Sequence, residues 1–265
     1  MIMNRSVWCA AMLFVTVTGV RTARPAYASQ SAPVDAAVER GDQSYAHGQL
    51  REALAAYQQA AGVEAAHFGA LCGLARVESE LSEGAPGEER RRLVAAAVEH
   101  ARAAVKVAPD QAHGHVVLAV ALGQQAQMEG PKTRAGLWRE IRSELDRAIG
   151  IDPGIARAYL ERGRWNRQLA SRGIWERTWS KVLLAHVPRG ASMDNAVRDL
   201  EKAVELAPGD IQCRMELARV YLKLDRLGDA RRELERVVAI PAGRPRDPGL
   251  QAEARERLEK LAKRG

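Results

Sequence analysis

The sequence predicts an all-α protein assembled from repeated helix pairs, on three observations. The 265 residues are crowded with Ala, Leu, Glu and Arg but hold only two Phe, five Tyr and five Trp, and the abundant types lose little conformational entropy in a helix. Runs in which β-branched and polar residues alternate, the mark of half-buried strands, are absent from the sequence. Five segments end alike, and small residues recur between them at a fixed spacing.

Residues 1–28 read as a secretory signal and stand apart from the fold. Arg5 supplies the positive start, Val7 to Val20 is an apolar run of 14 residues, and "AYA" ends at Ala28 with small residues where cleavage needs them. A membrane span needs roughly 20 apolar residues, so the run is short for one. Arg21 and Arg24 lie between the run and the cleavage site, which keeps an uncleaved N-terminal membrane anchor as the alternative. The expected product is an exported protein of residues 29–265, periplasmic or secreted. Losing the signal removes three arginines and no acid, so the formal charge falls from +7 to about +4. No Lys/Arg-rich run of the kind that marks nucleic-acid patches is present. Cys72 and Cys213 remain, both in apolar helical surroundings. Two cysteines make no disulfide framework, and buried free thiols are expected.

The alike segments are "ARAAVKVAPD" at Ala101, "LDRAIGIDPG" at Leu145, "LEKAVELAPG" at Leu200 and "LERVVAIPAG" at Leu234, with "YQQAAGVEAA" at Tyr57 as an earlier form. Ala53 to Ala75, Ala97 to Ala119, Ile141 to Gly163 and Ala196 to Ala218 are each 22 residues apart. Gly41 to Ala53 and Ala218 to Ala230 are each 12, which makes a unit of 34. Small residues at two points of the unit let antiparallel helices approach closely, and larger ones fill the space to the next unit. Pro109, Pro153 and Pro208 each end a second helix. The intervals Ala75–Ala97 and Ala119–Ile141 exceed 12 by 10 residues, and Gly163–Ala196 exceeds it by 21. Ten residues are about three helical turns, so units two and three are expected to carry longer helices or an added turn, and the fourth a whole inserted helix. The expected units lie near 34–67, 68–111, 112–155, 156–210 and 211–244. A capping helix follows over 247–263, with Asp247 as its N-cap ahead of Pro248 and a basic last turn.

Gly/Ala at unit position 8, Ala at 20, an aromatic or Leu at 24, Ala at 27 and Pro at 32 resemble the tetratricopeptide repeat. That resemblance implies a right-handed α-solenoid of about five helix pairs sharing one continuous core. A narrower resemblance, over about Leu71 to Leu261, is to the regulator-of-microtubule-dynamics family and its bacterial relatives. It is carried by "EGPKTRAGLWREIRSELDRAIGIDP" from Glu129, "LERGRWNRQLA" from Leu160, "PRGASMDNAVRDLEKAVELAP" from Pro188, "MELARVYLKLDRLGDARRELERVVAIP" from Met215 and "DPGLQAEARERL" from Asp247. It implies a helical adaptor, tied in eukaryotic members to microtubules and organelle membranes. The secretory start departs from that eukaryotic pattern and speaks against a cytoskeletal role.

The sequence offers no catalytic residues. It has no G-x-S-x-G, no P-loop and no HExxH, and neither a cofactor nor a metal is expected. His113 and His115 stand two apart, about 200° around a helix, so they cannot meet on one ion. "EERRR" from Glu88 reads as a solvated helix start.

What remains is a surface. In resembling proteins the first helix of each unit lines a concave face through unit positions 2, 5, 9, 12 and 13. In unit four these fall on Arg157, Leu160, Arg164, Arg167 and Gln168, and in unit five on Gln212, Met215, Arg219, Leu222 and Lys223. Arg76, His113, Val116 and Val120 come from units two and three. The set is basic over an apolar floor, with Asp42 and Glu80 as its only acids, at the far end. Arginine forks suit carboxylate or phosphate. The sharp reading is a groove for a protein or peptide partner of acidic character, or for an anionic lipid headgroup. The bland one pairs these arginines with neighbouring helix acids or leaves them solvated. The inserted helix shows an apolar face at Trp175, Trp179, Val182 and Leu183. It reads as packing across the groove, as a membrane-surface helix, or as a lid over a lipid or peptide site. Liposome flotation separates the second role from the others: if the helix meets membranes, the mature protein floats and its Trp175→Glu variant does not.

Overall fold

The computed structural model describes residues 31–176 and 191–263, with side chains described outside Ser31 and residues 172–176. Among the described residues there are eleven helices and no strand. The first pair is α1 (Ser31–Ala46) and α2 (Leu50–Val63), and the second is α3 (Phe68–Gly84) and α4 (Gly87–Val107). The third is α5 (Ala112–Met128) and α6 (Pro131–Ile151), and the fourth α7 (Ala156–Glu176) and α8 (Met193–Leu206). The fifth is α9 (Ile211–Lys223) and α10 (Leu227–Ala239), and α11 (Asp247–Ala262) closes the stack.

Helices α4, α6 and α8 each end two residues before Pro109, Pro153 and Pro208, because proline bars its predecessor from the helical region. The excess in units two and three is taken up by lengthening: α3 and α5 have 17 residues and α4 and α6 have 21, against 13 in α9 and in α10. In unit four α7 continues unbroken through Gly173 to Glu176. The remainder of the expected inserted helix, including Trp179, Val182 and Leu183, lies outside the described residues, as does the signal segment 1–28. Ser192 caps α8 by accepting the Asn195 N–H at 3.0 Å. At α11 the expected N-cap moves by one residue. Arg246 holds that place, and the Asp247 carboxylate turns back to accept the N–H groups of Gly243 and Arg244 at 2.9 and 2.8 Å.

The small-residue spacing acts through close contact. Tyr57 is fully buried between Gly41 of its own unit and Gly73 of the next. A Cβ at Gly41 would stand 2.5 Å from the Tyr57 ring, and one at Gly73 would be closer still. Leu200 fills the same place against Gly163, where a Cβ would meet its Cγ at 2.6 Å. Ala53, Ala97, Ala196 and Ala230 are fully buried at the corresponding points of the second helices.

The way the helices touch sets the curvature. Each first helix meets the first helix of the next unit, in the series α1, α3, α5, α7, α9 and α11. Among the described residues the backbones of second helices pack only against first helices, and α4 and α6 are joined by the Arg102–Glu140 ion pair at 3.0 Å. The odd-numbered helices therefore line the inner, concave side of the stack. Cys72 and Cys213 are buried free thiols whose pKa burial pushes up to about 12, which makes them poor nucleophiles.

Two glycine substitutions check this packing. Gly73→Ala should destabilise the protein by about 1–3 kcal/mol through overpacking against Tyr57. Gly123→Ala, on α5 with nothing within 4 Å, should stabilise it by roughly 0.5–1 kcal/mol. Urea unfolding midpoints read both.

Candidate functional site on the concave face

The inner helices carry a ladder of arginines and carboxylates. At the N-terminal end Arg76 of α3 donates to Asp42 Oδ1 at 2.9 Å and to the Tyr57 hydroxyl at 2.8 Å. Its guanidinium lies 3.9 Å over the Tyr45 ring. Burial works against the charge on Arg76, but Tyr57, Tyr45 and Asp42 outweigh it and raise its pKa. The Tyr45 hydroxyl donates to Glu80, and burial together with that carboxylate pushes it up to about 12. His113 of α5 is exposed to solvent but set in the hollow. Its protein surroundings, then the charges of Arg76 and Arg157, lower its pKa.

The α7–α9–α11 end is denser. Arg157 pairs with Glu161 at 2.8 Å and donates to Gln212 at 3.1 Å. Burial raises the Glu161 pKa, but Arg157 and Arg164 together bring it below its ordinary 4.5. Arg164 spans Glu161 at 3.4 Å and Glu216 at 3.5 Å. Glu216, only 1% exposed, also takes Arg167 at 3.0 Å and Arg219 at 2.7 Å, so three guanidiniums share one buried carboxylate. Such a group is tolerated inside because its charge and its lone pairs are both matched. Arg219 reaches on to Glu253 of α11, which Arg257 holds from the other side at 2.7 Å. Burial opposes the ionised form of Glu253, and the two arginines win, leaving its pKa lowered. Lys223 donates to the Ser171 hydroxyl at 2.7 Å.

The structure places Arg76, His113, Arg157, Arg164, Arg167, Arg219 and Lys223 on this inner face. It removes three expected members, one of them Val116, which is 2% exposed in the core around α5. Leu160 is 1% exposed and Met215 fully buried, both inside the core that joins neighbouring units. Position 5 of the unit points between helices here, not into the hollow. Leu222 is half-buried between two core clusters, and Val120 is half-buried. The expected basic face with two distant acids is also corrected: Glu161, Glu216 and Glu253 run through it and neutralise most of its arginines. A signal for them lay in the sequence, since Glu161 stands four residues after Arg157 and three before Arg164, and Glu216 three before Arg219. Trp175 falls in the last turn of α7.

His115, two residues from His113, is turned into the core, with Nδ1 2.5 Å from Glu144 and Nε2 2.8 Å from the Pro109 carbonyl oxygen. Among the described residues no three His, Cys, Asp or Glu side chains gather as metal ligands. No described helix is long and apolar enough to cross a membrane.

Stacked helix pairs with an inner face of this kind define a tetratricopeptide-repeat protein, and solved structures agree on the fold. The thermophilic tetratricopeptide-repeat protein TTC0263 of Thermus thermophilus superposes with a TM-score of 0.65 at 23% identity, over 84% of this chain and 97% of that one. A Pseudomonas aeruginosa pilF structure gives 0.56 at 16% identity, over 88% and 93%. Within that class the chain belongs to the family described as regulator of microtubule dynamics protein 1-3, whose profile matches residues 36–262. Regulator of microtubule dynamics protein 3 of Rattus norvegicus is 29% identical over 69% of this chain and 39% of its own length. Regulator of microtubule dynamics protein 1 of Bos taurus is 26% identical over 85% and 71%. The chain thus spans about two fifths of the rat relative.

Two outcomes follow from the ladder. Glu216→Leu should cost about 3–5 kcal/mol, because three arginines lose a buried partner. Glu161 and Glu253 have lowered pKa values, so their stabilisation is present above pH 4.5 and is lost as the pH falls through their folded-state values. In an Arg157→Ala/Arg164→Ala variant the Glu161 share of this acid loss should vanish, flattening the fall of the urea midpoint between about pH 5 and pH 3.

Proposed function

We propose that the chain is a non-catalytic interaction scaffold that holds a protein or peptide partner of acidic character on its concave face. One observation carries this: the inner face is a ladder of paired charges with partly exposed outer members. Arg157 and Arg164 keep 43% and 38% of their side-chain surface open to solvent, and Lys223 is exposed. A carboxylate arriving from a partner can take the place of an internal one on the same guanidinium, because planar forks accept several acceptors in similar geometry. The charged lining favours such a partner over an acyl chain, so the lipid-transfer reading has less support. On the secretory reading of residues 1–28, the protein is proposed to work outside the cytoplasm. The relatives' association with microtubule dynamics is not carried over.

The test uses a fluorescein-labelled decaglutamate peptide as probe, with a decalysine control, read by fluorescence anisotropy. The acidic probe should bind and weaken as salt rises, and Arg157→Glu/Lys223→Glu should reduce affinity by roughly ten-fold. Equal binding of both peptides, or affinity unchanged in the double variant, would overturn the assignment.

A further inference from the structure

The two ends of the stack meet. The loop between α10 and α11 reaches back to the tips of the first two units, although about 160 residues of chain separate them. Arg246 donates to Glu83 Oε2 at 3.1 Å and lies 3.5 Å from Glu80 Oε2, both near the C-terminal end of α3. Beside them Gly48, in the α1–α2 turn at φ +76°, lies against Pro245: a Cβ at Gly48 would be 2.9 Å from Pro245 Cγ and 3.1 Å from its Cβ. Glu83 also accepts from Gln124 of α5 at 3.2 Å, and it is near enough to help hold Arg164 of α7 in its charged form.

The arm that makes this contact is braced. Asp247 fixes the backbone of Gly243 and Arg244, Arg244 pairs with Asp210 at 2.8 Å, and Gln251 donates to the carbonyls of Val237 and Ile240. The receiving side is anchored too, since Glu80 accepts the Tyr45 hydroxyl beneath Arg76. Between two stiff ends, the contact itself is the weak element. It consists of one turn–loop contact and one guanidinium whose side chain is half open to solvent, and exposed ion pairs are screened by salt.

We infer that Gly48, Glu80, Glu83, Pro245 and Arg246 form a clasp that closes the superhelix on itself, and that releasing it spreads the stack and uncovers the concave face. The inference extends the binding reading above by naming what encloses the same surface, and its test involves no partner. In a stack where each unit touches only its neighbours, curvature is soft and a single end-to-end contact sets it. The clasp is electrostatic at Arg246, so raised ionic strength or an anion competing for that guanidinium opens it.

The first measurement is proximity. Gly48→Cys/Pro245→Cys should form an intramolecular disulfide in air, seen as a shift in non-reducing electrophoresis and a loss of about 2 Da, since bridged Cβ atoms sit ~3.5–4.5 Å apart. Cys72 and Cys213, buried thiols, should stay reduced in the same sample. The second measurement avoids strain at Gly48 altogether. By small-angle scattering, Arg246→Glu should raise the radius of gyration by at least about 1 Å over wild type, against ~18 Å for a compact chain of this size. Glu83→Arg/Arg246→Glu should bring it back. A folded cysteine variant that never bridges would overturn the clasp, and so would a radius that Arg246→Glu leaves unchanged. Failure of decaglutamate to bind would remove the acidic-partner reading and leave these two results to judge the clasp.

Discussion

Everything in this molecule depends on how closely two helices can approach where a glycine faces a large side chain. Tyr57 between Gly41 and Gly73, and Leu200 on Gly163, bring ring or branch atoms to distances that a single methyl would forbid. That approach fixes the spacing within a pair and between neighbouring pairs, so it fixes the repeat. With the spacing set, the first helices lie side by side along the inner wall, and the rest of the architecture follows from stacking.

The inner wall then creates an electrostatic problem. Placing α7, α9 and α11 side by side gathers Arg157, Arg164, Arg167, Arg219 and Arg257 within a short stretch of surface, and the chain answers with Glu161, Glu216 and Glu253 among them. The buried Glu216 is the strictest case, because a carboxylate so enclosed is tolerable only when donors surround it. The same pairs that stabilise the stack leave Arg157 and Arg164 partly open. The proposed partner binding draws on these partly open guanidiniums.

Much of this was legible in the residues. The intervals of 22 and 12 gave the helix pairs, the prolines gave the ends of α4, α6 and α8, and excesses over 12 marked where helices lengthen. Unit position maps to helix face, so it also groups the arginines of the first helices on one side. What position could not say was depth. Leu160 and Met215 share a face with exposed neighbours but sit between helices, and that depends on how the next unit leans against them. The acids were anticipated only as unnamed helix neighbours of the arginines, for a related reason. Glu161 and Glu216 occupy a unit position outside the borrowed set, and only the packing of α7 on α9 brings Glu216 to both Arg164 and Arg167.

Local chemistry therefore sufficed for the helices, their pairing and their repeat, since each rests on spacings of a few residues to one unit. It could not specify the meeting of Arg246 with Glu80 and Glu83, or of Gly48 with Pro245. Those contacts span nearly the whole stack, and they arise from small rotations added unit by unit. No stretch of sequence encodes such a sum, which exists only once all the pairs are packed.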